Sequence, residues 1–84
     1  MEEQEIGVVD HFFGKISVGI IKLSGTLKVG DTIHIKGKQA DFSQEVESMR
    51  IEFDNVTEAK EGAKVGIKVV QPLHANDKVY KVIA

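Results

Sequence analysis

Cysteine is absent from the 84 residues, which removes disulfide frameworks, thiol nucleophiles and thiolate metal sites together. Tryptophan is absent as well, and proline occurs once. No apolar run approaches the ~18 residues that a membrane-spanning helix needs, so no membrane association is expected. No GxxxxGKS/T phosphate loop is present, and neither nucleotide binding nor GTP hydrolysis is expected. His11, His34 and His74 are scattered, without the close spacing of paired metal ligands, and no Ser-His-Asp arrangement can be built on them. The chain is therefore expected to be non-enzymatic, with no metal and no cofactor. Its acidic start, Met1-Glu2-Glu3-Gln4-Glu5, is the opposite of a basic signal-peptide n-region. Together with the missing cysteine this fits a cytoplasmic location.

What is present suits one soluble domain. Hydrophobic residues make up 42% and charged residues 29%, which argues against disorder. The net charge of −2 conceals a segmentation. Residues 1–5, read as an acidic N-terminal tail, hold three acids and no base. Residues 6–40 and 62–84 are each net +3, whereas residues 41–61 are net −5. A fold that keeps these segments apart has a polarised field. Residues 6–84 are read as the single folded domain.

Eight glycines punctuate short β-branched runs, the pattern of strands and turns. Ile6 to Phe12 is the first run. Lys15 to Leu23 is the second, with apolar residues on both parities: Ile16, Val18 and Ile20, then Ile21 and Leu23. That pattern means either a β-bulge just after Gly19 or a strand buried on both faces. Leu27 and Val29 alternate with Thr26 and Lys28 before Gly30-Asp31 turns the chain. In Thr32 to Lys36, Ile33 and Ile35 point inward. Residues 37–43 read as a loop, and Gln44 to Phe53 as a strand with Met49, Ile51 and Phe53 on one face and Val46 out of phase. Val56 to Glu61 is an extended approach to a turn at Gly62. Lys64 to Val69 alternates cleanly, with Val65, Ile67 and Val69 inward. Lys78 to Val82 is the last strand. Six or seven short strands without a helix predict an all-β sandwich or closed barrel, and an antiparallel barrel is expected because closure leaves no exposed edge.

Three segments resemble the β-barrel second domain of translational GTPases such as elongation factor Tu. They are Gly25-Thr26-Leu27-Lys28-Val29-Gly30-Asp31-Thr32-Ile33-His34-Ile35, then Val46-Glu47-Ser48-Met49 with Val56 to Ile67, and Asn76-Asp77-Lys78-Val79-Tyr80. The chain is equally similar to the barrel found at the C-terminus of collagenase-like bacterial peptidases. The first resemblance implies a translation-factor-like module associating with tRNA or rRNA. It places Ile21, Leu27 and Glu47 at a pocket for a terminal adenosine, although a further aliphatic position falls on Lys68. The second implies a module that docks on a protein partner such as a peptidase.

The residues themselves offer further candidates. Lys22, Lys36, Lys38, Lys64 and Lys68 point outward and suit phosphate contacts, or form a solvated charged face. His11, Phe12 and Phe13 either stack on a base or cap the end of the barrel. Glu45 and Glu47 share one strand face. The expected function is a non-catalytic binding module for RNA or a ribonucleoprotein; the alternatives are docking on an enzyme, or a subunit that works only as a homo-oligomer.

Overall fold

Side-chain alternation and its interruptions decide where each strand begins and stops. The architecture comes from a computed structural model, which describes residues 2–38, 40–52 and 54–83. Ten strands occur among these residues: β1 (Glu2–Phe13), β2 (Val18–Leu23), β3 (Leu27–Lys28), β4 (Thr32–Lys36), β5 (Asp41–Glu45), β6 (Met49–Ile51), β7 (Asp54–Val56), β8 (Glu58–Ala59), β9 (Lys64–Lys68) and β10 (Lys78–Ile83). Eight form one sheet in the order β5-β4-β10-β1-β2-β9-β6-β7, and every pairing in it is antiparallel. β3 and β8 make a separate two-stranded ribbon.

The all-β class expected from the sequence holds. The ladder itself does not close into a barrel, and the strands outnumber the expected six or seven because four of them are only two or three residues long. Pieces this short leave no period to read. The turn after β3 reaches both margins of the sheet. Gly30 donates its N–H to the Val46 carbonyl, Val46 donates to the Asp31 carbonyl, and Val29 donates to the Thr57 carbonyl. Gln44 of β5 fastens the margin to the chain leaving β9: its Nε2 donates to the Lys68 carbonyl at 2.8 Å, and the Val70 N–H donates to its Oε1 at 3.0 Å. These contacts satisfy edge groups that would otherwise offer a template for pairing with another chain.

The curled sheet encloses one core. Ile21, Leu27, Ile33, Ile35, Val46, Val65, Ile67 and Val79 are all buried within it, and Phe12, Ile51 and Val56 pack against it. The inward phase expected for Ile33, Ile35, Val65, Ile67 and Val69 is the observed one. Gly30 takes φ +99°, and the Asp31 carboxylate accepts the Lys28 N–H at 2.9 Å, which holds the turn expected at Gly30-Asp31.

Several local expectations change. Residues 1–5 are not a tail in the described part: Glu2 to Glu5 open β1 and pair with Ile83, Val82, Lys81 and Tyr80 of β10. The expected loop 37–43 already contains β5, which pairs with β4 from Asp41↔Lys36 onward. The expected strand from Gln44 to Phe53 is broken after Glu45, and Val46 is out of phase because its backbone bonds to the Gly30-Asp31 turn. Phe53 lies outside the described residues. Val29 is 38% exposed, because β3 has stopped at Lys28 and the turn has begun.

Candidate functional site

The two-sided apolar pattern of residues 16–23 has a specific outcome. No bulge occurs in β2, which runs regularly from Val18 to Leu23. The register shift lies in its partner β1, between Val9 and His11. Gly19, Ile21 and Leu23 therefore face the core, and Val18 and Ile20 face out, half-buried. β9 alternates in the same way, with Val65 and Ile67 inward and Lys64, Gly66 and Lys68 outward.

Register then assembles the outer surface. Ile20 pairs with Gly66 on one side and His11 on the other, and Gly66 pairs with Arg50 of β6. The neighbouring row runs Phe13, Val18, Lys68. Residues directly opposite in antiparallel strands share a face, so these side chains surround one spot. At that spot Gly66 contributes none: a Cβ there would stand 3.4 Å from both Ile20 Cδ1 and Val18 Cγ1. The missing side chain leaves a notch over an apolar floor.

The turns at either end raise its walls. Ser17 adopts φ 56°, which brings the 14–17 turn round sharply and leaves Ile16 60% exposed beside Phe13 at 45%. Across the notch, Glu52 adopts φ 57° just after β6. The resulting open groove has a volume of about 910 Å³ and is lined by Phe13, Ile16, Val18, Ile20, Arg50 and Ile51, among others. Its charged lining residues are Arg50, Lys64 and Lys68 against Glu52 alone. Lys64 Nζ is 3.6 Å from Asp10, and Arg50 Nε donates to Asn55 Oδ1 at 3.1 Å. The site is an apolar notch with a positive rim, suited to holding a ligand by shape and charge.

A polar cluster occupies another part of the sheet. His34 of β4 has Nδ1 2.5 Å from Glu3 Oε2 and Nε2 2.5 Å from Asp41 Oδ1. The hydrogen bonds to Asp41 and then Glu3 raise the His34 pKa, and the His34 bond in turn holds Glu3 below its ordinary value. Lys36 Nζ is 3.6 Å from Glu3 and 5.5 Å from the centre of the Tyr80 ring. With both ring nitrogens engaged by carboxylates, His34 has no nitrogen left to take a proton from a nucleophile. The cluster ties the start of β1 to β4 and β5, in addition to the backbone pairing of Glu2 to Glu5 with β10.

The candidate lysines fall into two groups. Lys22, Lys64 and Lys68 lie on β2 and β9, with Lys22 directly opposite Lys64. Lys36 is on β4 with Lys38 just beyond it, and β10, β1 and β2 intervene between β4 and β9. From β4 to β2, three strand spacings of ~4.8 Å already put about 14 Å of curved sheet between the nearest members of the two groups. They do not form one continuous phosphate-contacting face. Ile21 and Leu27 are 0% exposed, so they are core residues and line no adenosine pocket; Glu47 is exposed between β5 and β6. Glu45 is exposed on β5. The aromatic cluster divides by strand alternation: Phe12 packs on the core, while the His11 and Phe13 rings lie outside at a centroid separation of 4.7 Å. Ile51, read from sequence only as one member of a strand face, and Arg50 were not among the candidate site residues; the signal available was the surplus apolar parity on β2, which called for something outside to cover.

This architecture has been solved before as the C-terminal domain of a U32 peptidase from Geobacillus thermoleovorans, with a TM-score of 0.89 over 95% of this chain and 93% of that one, at 19% identity. The selenomethionine variant of that domain superposes with a TM-score of 0.86, covering 90% of this chain and 96% of its own at 19% identity. In sequence, the chain is 44% identical over 77 residues to a protein of Methanocaldococcus jannaschii described as an uncharacterised protease, a match covering 90% of this chain and 19% of that protein. It is 32% identical over 78 residues to a collagenase of Porphyromonas gingivalis, covering 90% of this chain and 22% of the collagenase. No protein-family model matches the chain. The chain is thus homologous to a segment of collagenase-like proteins and has the fold of a U32 peptidase C-terminal domain, and it spans about a fifth of the length of the curated relatives it matches. The resemblance to collagenase-like peptidases holds. The translation-factor and elongation-factor assignment is corrected, because these relatives carry protease and collagenase names. The shared Gly-Asp turn and alternating strands reflect how a small curled sheet is built.

Proposed function

We propose that this chain is a non-catalytic protein-docking domain of the kind carried by collagenase-like peptidases, and that its partner seats on the groove over Ile20 and Gly66. The observation that carries this reading is the pairing of a 44% match along 90% of the chain with a coverage of only 19% of the protease. A segment of that size in a longer enzyme is a module, and the remaining four-fifths has room for the catalytic chemistry. The groove supports the reading further. Exposed apolar side chains gathered around a notch mark interaction sites more often than isolated surface residues do. The engagement of both His34 nitrogens by carboxylates speaks for a structural role of that residue.

The test uses the Methanocaldococcus relative expressed without the stretch that this chain matches, checked for folding by circular dichroism. Isothermal titration with the 84-residue chain is expected to give one-to-one binding. Binding of tRNA in low salt with no binding to the folded truncated protease would overturn the proposal.

A further inference from the structure

The groove has a geometry that selects among protein segments. Lys64 and Lys68 flank Gly66 on one face of β9. Four residues of extended chain separate the two lysines by about 13 Å. The notch lies midway between them, floored by Ile20 and Val18, with Arg50 opposite. An extended segment lying along β9 repeats this spacing, because its residues i, i+2 and i+4 share a face. A large apolar residue at i+2 fills the notch, while residues i and i+4 meet the lysines. Across β2, β9 and β6 the surface is about 10 Å wide, two strand spacings, which admits one such segment.

Charge decides what stands at i and i+4. The lining carries Arg50, Lys64 and Lys68 against Glu52. Lys22 stands directly opposite Lys64, so Lys64, 3.6 Å from the Asp10 carboxylate, has a second lysine as its cross-strand neighbour. A carboxylate at i or i+4 relieves that like-charge contact, which a basic or neutral residue does not. We infer that the groove binds an extended acidic segment of a partner protein in which a leucine-sized or aromatic residue is flanked, two positions away on each side, by carboxylates. This rests on the protein-docking reading above and names the chemistry of the docked segment.

The probe is a fluorescein-labelled ten-residue peptide with glutamate, leucine and glutamate at two-residue spacing among neutral residues. Two controls replace the glutamates by lysine or the leucine by serine. Fluorescence anisotropy with the full 84-residue chain in low salt is expected to rank the parent peptide first, by roughly tenfold over the lysine version, as two exposed ion pairs allow. The Lys64→Glu/Lys68→Glu variant is expected to reverse that order. Ile20→Ser is expected to weaken the parent several-fold; if it unfolds, Ile16→Ser, altered at a 60% exposed position, reads out the same contact. Equal binding of all three peptides, no binding of any, or an order unchanged by the charge reversal overturns the inference. Binding to the truncated protease without preference for the acidic peptide removes this inference and leaves docking standing. Failure with both removes both.

Discussion

His34 lies between two carboxylates, and its protonated form is the one that both of them hold. Its folded pKa is raised above the ordinary value of 6.5, first by the hydrogen bond to Asp41 and then by that to Glu3. The stabilisation it gives is therefore complete below about pH 6.5 and is lost as pH rises through the raised value. Glu3 is shifted the other way, below its ordinary 4.5, chiefly by His34 and with a smaller contribution from Lys36. Its share is present above about pH 4.5 and is lost as pH falls through the lowered value. The cluster thus contributes most between these two limits. Thermal melts of the wild type and of His34→Gln across pH 4 to 9 check this. The gap between the two proteins is expected to be widest near pH 5.5 and to narrow toward pH 9; a constant gap would show that His34 acts by packing alone.

At the scale of strands, β4 and β9 were legible from sequence because their alternation is uninterrupted: Ile33 and Ile35 in one, Val65 and Ile67 in the other, all point inward as expected. Truncating Ile67 to Ala is expected to cost about 2–5 kcal/mol in urea unfolding, the range for deleting a buried aliphatic side chain. An unchanged midpoint would mean that the phase of β9 is wrong. β2 was legible only as an ambiguity. Its residues are apolar on both parities, and a single sequence cannot say whether the chain slips or whether both faces are covered. The shift is in β1, where Asp10 is the extra residue, and no hydropathy change announces it. β5 was hidden because Asp41 and Ser43 are polar and Phe42 alone faces the core. The groove was hidden for a further reason: its rows cross four strands, and register between strands distant in sequence is set by the assembled sheet.

Across the whole molecule, the charge segmentation seen in the sequence does not translate into one basic face. Strand order separates Lys36 and Lys38 from Lys22, Lys64 and Lys68, and ion pairs engage Lys36 with Glu3 and Lys64 with Asp10. The lysines beside β9 instead border an apolar notch, and it is the coincidence of notch and positive rim that favours a protein partner. The chain matches about a fifth of the length of its protease relative. The central claim is that docking occurs through the outer faces of β2, β9 and β6. The most direct measurement is a two-dimensional amide NMR titration of the labelled chain with the truncated Methanocaldococcus relative. Shifts or line broadening are expected at Val18, Ile20, Arg50, Gly66 and Lys68, with Lys36, Lys38 and Lys78 unchanged. Perturbation confined to Lys36, Lys38 and Lys78, with the groove amides unmoved, would contradict the claim.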